Sequence, residues 1–321
     1  MNQDRFVALH EEEWQRLAAV LRDRGAPPAD VAALPALYRR VCHHYALARA
    51  RHYSSGVVER LHGLVLEGHQ RFYGARRPLW RPLGDFLTRG YPRLVRREWP
   101  FVLASALCFL GPLLMLLVAL QFRPELVYTV MDGEEVRRME AMYSPGEHRR
   151  VGQARGADSD VMMFGFYLRN NTGIGFRTFA GGLPAGLGTL FFLALNGIHI
   201  GAVAGHLTAI GYIHTFWGFV AGHSAFELTA IVLSGAAGLR LGWALVAPGP
   251  RTRLRALRED AVVGVRLIYG AALLFLAAAF VEAFWSSLTT PAPAVKYGVG
   301  VALWLLLMAY LVLAGRDHAP R

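Results

Sequence analysis

The sequence predicts an all-α fold: a polytopic helical membrane bundle with an N-terminal helical cytosolic domain. Three observations predict it. Of the 321 residues, 54% are apolar and only 18% charged, whereas a soluble domain carries about 25% charged residues. Long apolar runs around Phe101, Leu183, Ala225, Ala261 and Val299 reach or approach the roughly 20 residues a helix needs to cross about 30 Å of hydrocarbon. The arginines flank these runs instead of spreading through the chain, the pattern of cytoplasmic loops in membrane proteins. Mean hydropathy is +0.30. An ordinary cytosolic enzyme, a secreted disulfide scaffold and a disordered chain are thereby excluded.

Net charge is +11, and Lys296 is the only lysine. Residues 1–99 hold 17 Arg against 10 acidic residues, a balance of 17 − 10 = +7, whereas 121–160 holds 6 Arg against 8 acidic residues. A basic chain can mark a nucleic-acid binder, but membrane topology accounts for these arginines and no nucleic-acid partner is expected. Cys42 lies in the basic block and Cys108 in an apolar run, so no disulfide is expected. The acidic, amphipathic start lacks the charged and apolar regions of a cleavable signal peptide.

The segment 1–99 reads as a cytosolic domain. Phe6, Leu9, Trp14, Leu17, Val20 and Leu21 recur near helical spacing over 2–24, and Gly25-Ala26-Pro27-Pro28 stops that helix. Helices follow over 34–53 and 57–73, broken at Gly74-Ala75-Arg76-Arg77-Pro78. The segment 86–99 mixes apolar Phe86, Leu87, Leu94, Val95 and Trp99 with Arg89, Arg93, Arg96 and Arg97. It is read as an interfacial helix, apolar toward acyl chains and basic toward headgroups.

The transmembrane domain, 100–321, opens with a span over 101–122. A polar, extracytoplasmic loop, 123–160, is long enough to form a small cap. The segment 161–182 carries Arg169, Asn170, Asn171 and Arg177, so hydropathy alone rejects it. Further spans are read at 183–204, 214–247, 261–285 and 295–314. If only five segments crossed, Arg251, Arg253, Arg255 and Arg258 would lie outside, against the positive-inside rule. Counting 161–182 gives six spans, places that loop and both termini in the cytoplasm, and leaves the loops 205–213 and 286–294, which lack Lys and Arg, outside. A re-entrant or interfacial 161–182, with five spans, is the alternative. The lipid bilayer is therefore one expected partner.

Within the spans, Gly197, Gly201 and Gly205 share one helix face, and Gly235, Gly238 and Gly242 do similar service on the next span. Small residues let helices approach closely. They serve intramolecular packing, with a homodimer face as the alternative. The tract 181–186 reads as a tight turn. Glu227 and Glu282 lie in apolar stretches, where an acid costs about 2.5–3.5 kcal/mol. His223 precedes Glu227 by four residues and shares its face. Asn170, Asn171 and Asn196 fall at comparable depth. Such a set could hold a proton, a cation or a polar headgroup, or simply tie the helices together. His199, His206, His214 and His223 lack the i,i+4 pairing of a zinc helix, so no metal is expected. His43, His44, His52, His62 and His69 read as exposed or capping residues. No catalytic motif is visible, and neither enzymatic activity nor a cofactor is expected.

Asn170-Asn171, Gly181-Gly182, Gly186-Leu187-Gly188-Thr189, Asn196-Gly197 with Gly201, His223 with Glu227, Gly235, Gly238 and Glu282-Ala283-Phe284 together resemble the stage II sporulation protein M family. The N-terminal block resembles its longer members through Trp14, Leu37-Tyr38-Arg39 and 45–51, and Met142-Tyr143-Ser144-Pro145 adds to the likeness. The chain departs from the pattern at His223-Ser224, where longer members often carry glycine, and in its large N-terminal block. The resemblance implies a polytopic bacterial membrane protein. The namesake works in an engulfment complex with peptidoglycan-degrading partners, as an anchor and assembly component without a hydrolase site. A cell-envelope scaffold that binds other membrane or envelope proteins is therefore expected. The alternative is a permease or channel-like component using Glu227, Glu282 and His223.

Overall fold

The computed structural model describes residues 1–22, 28–73, 80–145, 157–288 and 290–316. The expected breaks at 25–27 and 74–78, and the later part of the 123–160 loop, lie outside the described residues. All regular structure among the described residues is helical. The chain forms two compact units, Met1–Leu83 and Gly84–Arg321.

The first unit holds α1 (Gln3–Arg22), α2 (Pro28–Ala50) and α3 (Ser55–Tyr73). Phe6, Trp14 and Leu17 from α1 pack with Val41 and Ala48 of α2 and Leu61 of α3 in a continuous apolar core. α2 begins six residues before the expected start, 28 against 34, and carries Pro35 inside it. Pro35 is the eighth residue of α2, so its missing N–H removes one intrahelical hydrogen bond, a loss the helix absorbs without ending there. His44 is a correction to the exposed-or-capping reading: it is 6% exposed, accepts the Trp14 indole N–H at 3.1 Å, and stacks on His10 with centroids 3.9 Å apart. A buried indole needs an acceptor, and histidine supplies one only when neutral.

α4 (Trp80–Asp85) leads into the second unit, followed by a π-helical turn, Phe86–Gly90, and α5 (Tyr91–Arg97). Tyr91, Pro92, Leu94 and Val95 of α5 are buried. Its arginines reach another helix end: Arg96 donates to the Leu311 and Ala314 carbonyls at 2.6 and 2.8 Å, and Arg93 to the Gly315 carbonyl at 2.5 Å. Those carbonyls close α12 (Pro293–Leu313), whose last turn otherwise leaves acceptors unpaired.

Five helices are long and apolar enough to cross a membrane: α6 (Trp99–Phe122), α9 (Leu187–Ala209), α10 (Ile213–Val246), α11 (Arg253–Val281, continued by a π-helical turn, Glu282–Ser286) and α12. α10 is central and packs on α6, α9, α11 and α12, and also on α8 (Ala157–Ala180). The register of the contacts fixes the helix directions. Gly197, Gly201 and Gly205 of α9 lie against Phe109, Leu113 and Leu120 of α6 in ascending order, so α6 and α9 run parallel. Gly175 of α8 and Gly182 in the turn just after it meet Ser234 and Gly238 of α10, again ascending, and Gly300 of α12 meets Ala221 while Trp304 reaches Ser224. Asp260 and Gly264 of α11 meet Arg240 and Ala237 in descending order. α6, α9 and α11 therefore run one way, and α8, α10 and α12 the other.

Between α6 and α9 the chain must return through the bundle, and α8 makes that return although its hydropathy is low. The glycine turn after α8 lets it pack: Gly186 has φ +85°, and a Cβ on Gly182 would overlap the Gly238 carbonyl. Before α8, a 3-10 turn, Pro124–Thr129, and α7 (Gly133–Tyr143) form the expected cap. Asp132 caps α7 by accepting from the amides of Glu134 and Glu135 at 2.9 and 2.8 Å. Val127, Met131 and Val136 seat this cap on Leu120 and Ala202.

Candidate intramembrane polar site

One turn of α10 separates His223 from Glu227, so both project toward α11, where the π-helical turn begins with Glu282. A π turn widens the helix locally and is frequent at functional sites. Here it presents Glu282 and Ser286 inward, both buried. His223 Nδ1 lies 3.1 Å from Ser286 Oγ, and its Nε2 lies 3.7 Å from Glu227 Oε2. Asn171, on the buried side of α8, donates to Glu282 Oε2 across a long 3.5 Å. His223, Glu282 and Asn171 are 5%, 8% and 3% exposed. Four of the six polar residues singled out in the sequence thus meet in one cluster: Asn171, His223, Glu227 and Glu282.

The other two stand apart. Asn170 is exposed and touches the cluster only through its neighbour, donating to Asn171 Oδ1 at 3.1 Å. Asn196 donates to the Phe192 carbonyl of its own helix at 2.7 Å. The glycines pack within the chain: Gly197, Gly201 and Gly205 on α6, Gly235 on Ser105 and Leu193, Gly238 on Thr189 and the α8 backbone, and Gly242 on Gly186.

Two cavities of about 240 Å³ flank the cluster. One is lined by Met139, His199, Phe216, His223 and Glu227, the other by Tyr143, His214, Phe219, Ser286 and Lys296. Both lie toward the α7 end of the bundle. Tyr143, at the end of α7, packs its ring on Phe216 and Phe219 at 5.3 and 6.1 Å. Burial, and then the Glu282 carboxylate, pushes its phenol above the usual range and keeps it protonated. Lys296 donates to the carbonyls of Ser286 and Leu288 at 3.0 and 2.6 Å, closing the widened helix end.

Several polar contacts escape the sequence reading. His206 pairs with Glu140 at 2.7 Å and His199 faces Glu135 at 3.9 Å, so these histidines, seven apart on α9, tie down the α7 cap. At the opposite end, Arg240 bridges buried Glu98 and Asp260 at 3.5 and 3.1 Å, with Arg251 also on Asp260 at 3.3 Å. Glu98 and Asp260 lie among arginines in the sequence, and only that sign reversal could have singled them out. The ligand atoms of His223, Glu227 and Glu282 lie within 4.8 Å of one another, close enough to share a cation, as do those of His10, Glu13 and His44 in the first unit.

Comparison with known proteins supports the same regions. The family model described as Stage II sporulation protein M matches residues 104–287, more than half of the chain. A second, described as a domain of unknown function (DUF8413), matches residues 4–74. No curated protein and no solved structure matches the chain.

Proposed function

The chain belongs to the stage II sporulation protein M family, and from that premise we propose that it is a non-enzymatic scaffold of the bacterial cytoplasmic membrane. It crosses six times, keeps both termini in the cytoplasm, and assembles other membrane or cell-envelope proteins around it. The observation that carries this reading is the outward face of α8. Gly165, Phe166, Arg169, Asn170, Phe176 and Arg177 are all exposed. Arg169 is mid-helix, about 17 Å from either end at ~1.5 Å per residue, beyond the reach of its own side chain to the headgroups. An arginine held in hydrocarbon costs about 2.5–3.5 kcal/mol or more. A partner transmembrane helix offering carboxylate or carbonyl acceptors removes that cost, and Gly165 lets its backbone approach.

A second copy related by an axis normal to the membrane would set Arg169 against Arg169, so charge favours a different protein. The helical first unit supplies a further recruiting surface on the cytoplasmic side. A permease-like reading draws support from the cavity beside His223 and Glu227. Against it stand the backbone contacts of Gly182 with Gly238 and Gly186 with Gly242, which close the bundle toward its arginine-rich end.

Full-length protein purified from native membranes in mild detergent is expected to recover a membrane or envelope partner reproducibly. The Arg169→Leu/Asn170→Leu form is expected to recover several-fold less while remaining monodisperse. Repeated recovery of no such partner by the wild type contradicts the scaffold. Flux through proteoliposomes that is abolished by Glu227→Gln together with Glu282→Gln would favour the permease.

A further inference from the structure

We propose that His223, Glu227 and Glu282 bind one divalent cation of the zinc or manganese class, reached from the α7 end of the bundle. The inference is independent of the partner face on α8. Two carboxylates and an imidazole converge from α10 and from the π-helical turn after α11, with their ligand atoms within 4.8 Å of one another. A tetrahedral ion bound at about 2.1 Å sets neighbouring ligand atoms about 3.4 Å apart. His223 Nε2 and Glu227 Oε2, at 3.7 Å, need only a small side-chain rotation to reach that spacing.

The outer partners of the set are those of a ligand set. A metal-bound histidine almost always anchors its second nitrogen, which fixes the tautomer. Here Nδ1 is held by Ser286 Oγ at 3.1 Å, leaving Nε2, on a ring 94% buried (side-chain exposure 6%), on the side of Glu227 but beyond hydrogen-bond distance of it. Glu282 is oriented by Asn171. The charges also balance: two carboxylates and a neutral imidazole carry −2, which one divalent ion cancels in surroundings where an uncompensated charge is expensive. Ser286 beside an imidazole also looks like a nucleophile with its base. In that arrangement a carboxylate hydrogen-bonded to the far nitrogen orients the ring, whereas here Glu227 stands 3.7 Å from it, beyond that distance.

The nitrogen ligand selects the metal class. Imidazole suits zinc, and the two carboxylates beside it also admit manganese, whereas magnesium and calcium favour all-oxygen sites. The cavity of about 240 Å³ that reaches from Met139 and His199 down to Glu227 supplies the entry path. His199 at its rim is about half-exposed.

The test uses the full-length protein in detergent, loaded with zinc, manganese or cobalt and then dialysed. The wild type is expected to retain about one zinc or manganese ion per chain against excess calcium, and the cobalt form to show ligand-field absorption. Glu227→Gln and Glu282→Gln are each expected to weaken retention by at least about tenfold. His10→Gln, which alters the other histidine–carboxylate cluster, is expected to retain metal like the wild type. Failure of the wild type to retain any of the three ions overturns the proposal, as does equal retention by the carboxamide variants or loss in His10→Gln alone. Should a carboxamide variant fail to fold, pulsed electron paramagnetic resonance of wild-type protein loaded with manganese decides. Coupling to a bound imidazole nitrogen is expected, and its absence overturns the site.

Discussion

Arg240 holds together a junction of three helices. Glu98 and Asp260 are each 4% exposed and both lean on its guanidinium, which also lies over the Phe101 ring at 5.4 Å. Removing one partner from a buried ion pair leaves the other charge desolvated and uncompensated, at a cost of about 3–5 kcal/mol. Arg240→Leu is therefore expected to lose about 3 kcal/mol, seen as a lower thermal midpoint in detergent, with Arg240→Lys partly restoring it. His44 makes a pH-dependent counterpart in the first unit. Burial, and then the neighbouring His10, lowers its pKa below that of a free imidazole. With the folded value below the unfolded one, stability is fully present above the ordinary imidazole range and is lost as pH falls through it. Hydrogen exchange over 3–22, corrected for intrinsic rates, should show protection falling as the pH drops from 7.5 to 5.5. The His44→Gln form, whose side chain can still accept from Trp14, should show a much flatter response. Of the polar residues, His223 and Glu227 were legible because four-residue spacing on an apolar helix forces them onto one face. Asn196 was not, since an asparagine can satisfy itself on the preceding turn of its own helix, and that choice leaves no trace in the sequence.

Among the elements, α8 shows what hydropathy misses. Its inward side carries Asn171, Gly175 and Thr178, all buried, so its polarity and small residues serve contact with other helices. Charge bookkeeping over the loops identified the segment as part of the bundle where its composition did not. The glycine spacing on α9 and α10 was equally readable, because close helix approach demands small residues at regular intervals. Which helix each stripe meets was not, since α6 and α9 are distant in sequence. Gly238 packs so closely that a Cβ would overlap Thr189 Oγ1, with the Thr178 carbonyl at 2.9 Å. Gly238→Val is expected to destabilise by about 1–3 kcal/mol or more through overpacking, measured as reduced monodisperse yield and thermal midpoint. Gly298→Val, where nothing lies within 4 Å, serves as the control and is expected to behave like the wild type. The α7 cap was legible only as a loop. Asp132, with Glu135 three residues on, is a helix-start signature, but the short helix it opens is held in place by His206 and Glu140 from opposite sides of a long sequence gap.

At the scale of the whole molecule, the alternating directions of six helices bring the start of α6 and the end of α12 to the side that carries Arg93, Arg96, Arg240 and Arg251. The same alternation places α7, His214 and Lys296 at the other end. This agrees with cationic loops facing the cytoplasm, and the orientation rests on whether α8 crosses the bilayer. Tyr128 lies before α8 and Leu183 after it, and both are exposed, at 60% and 56%. Tyr128→Cys and Leu183→Cys, each made in a chain carrying Cys42→Ser and Cys108→Ala, can be treated in intact cells with a membrane-impermeant maleimide. The account predicts labelling of position 128 from outside and of position 183 only after the cells are opened. Labelling of both positions from the same side would contradict it.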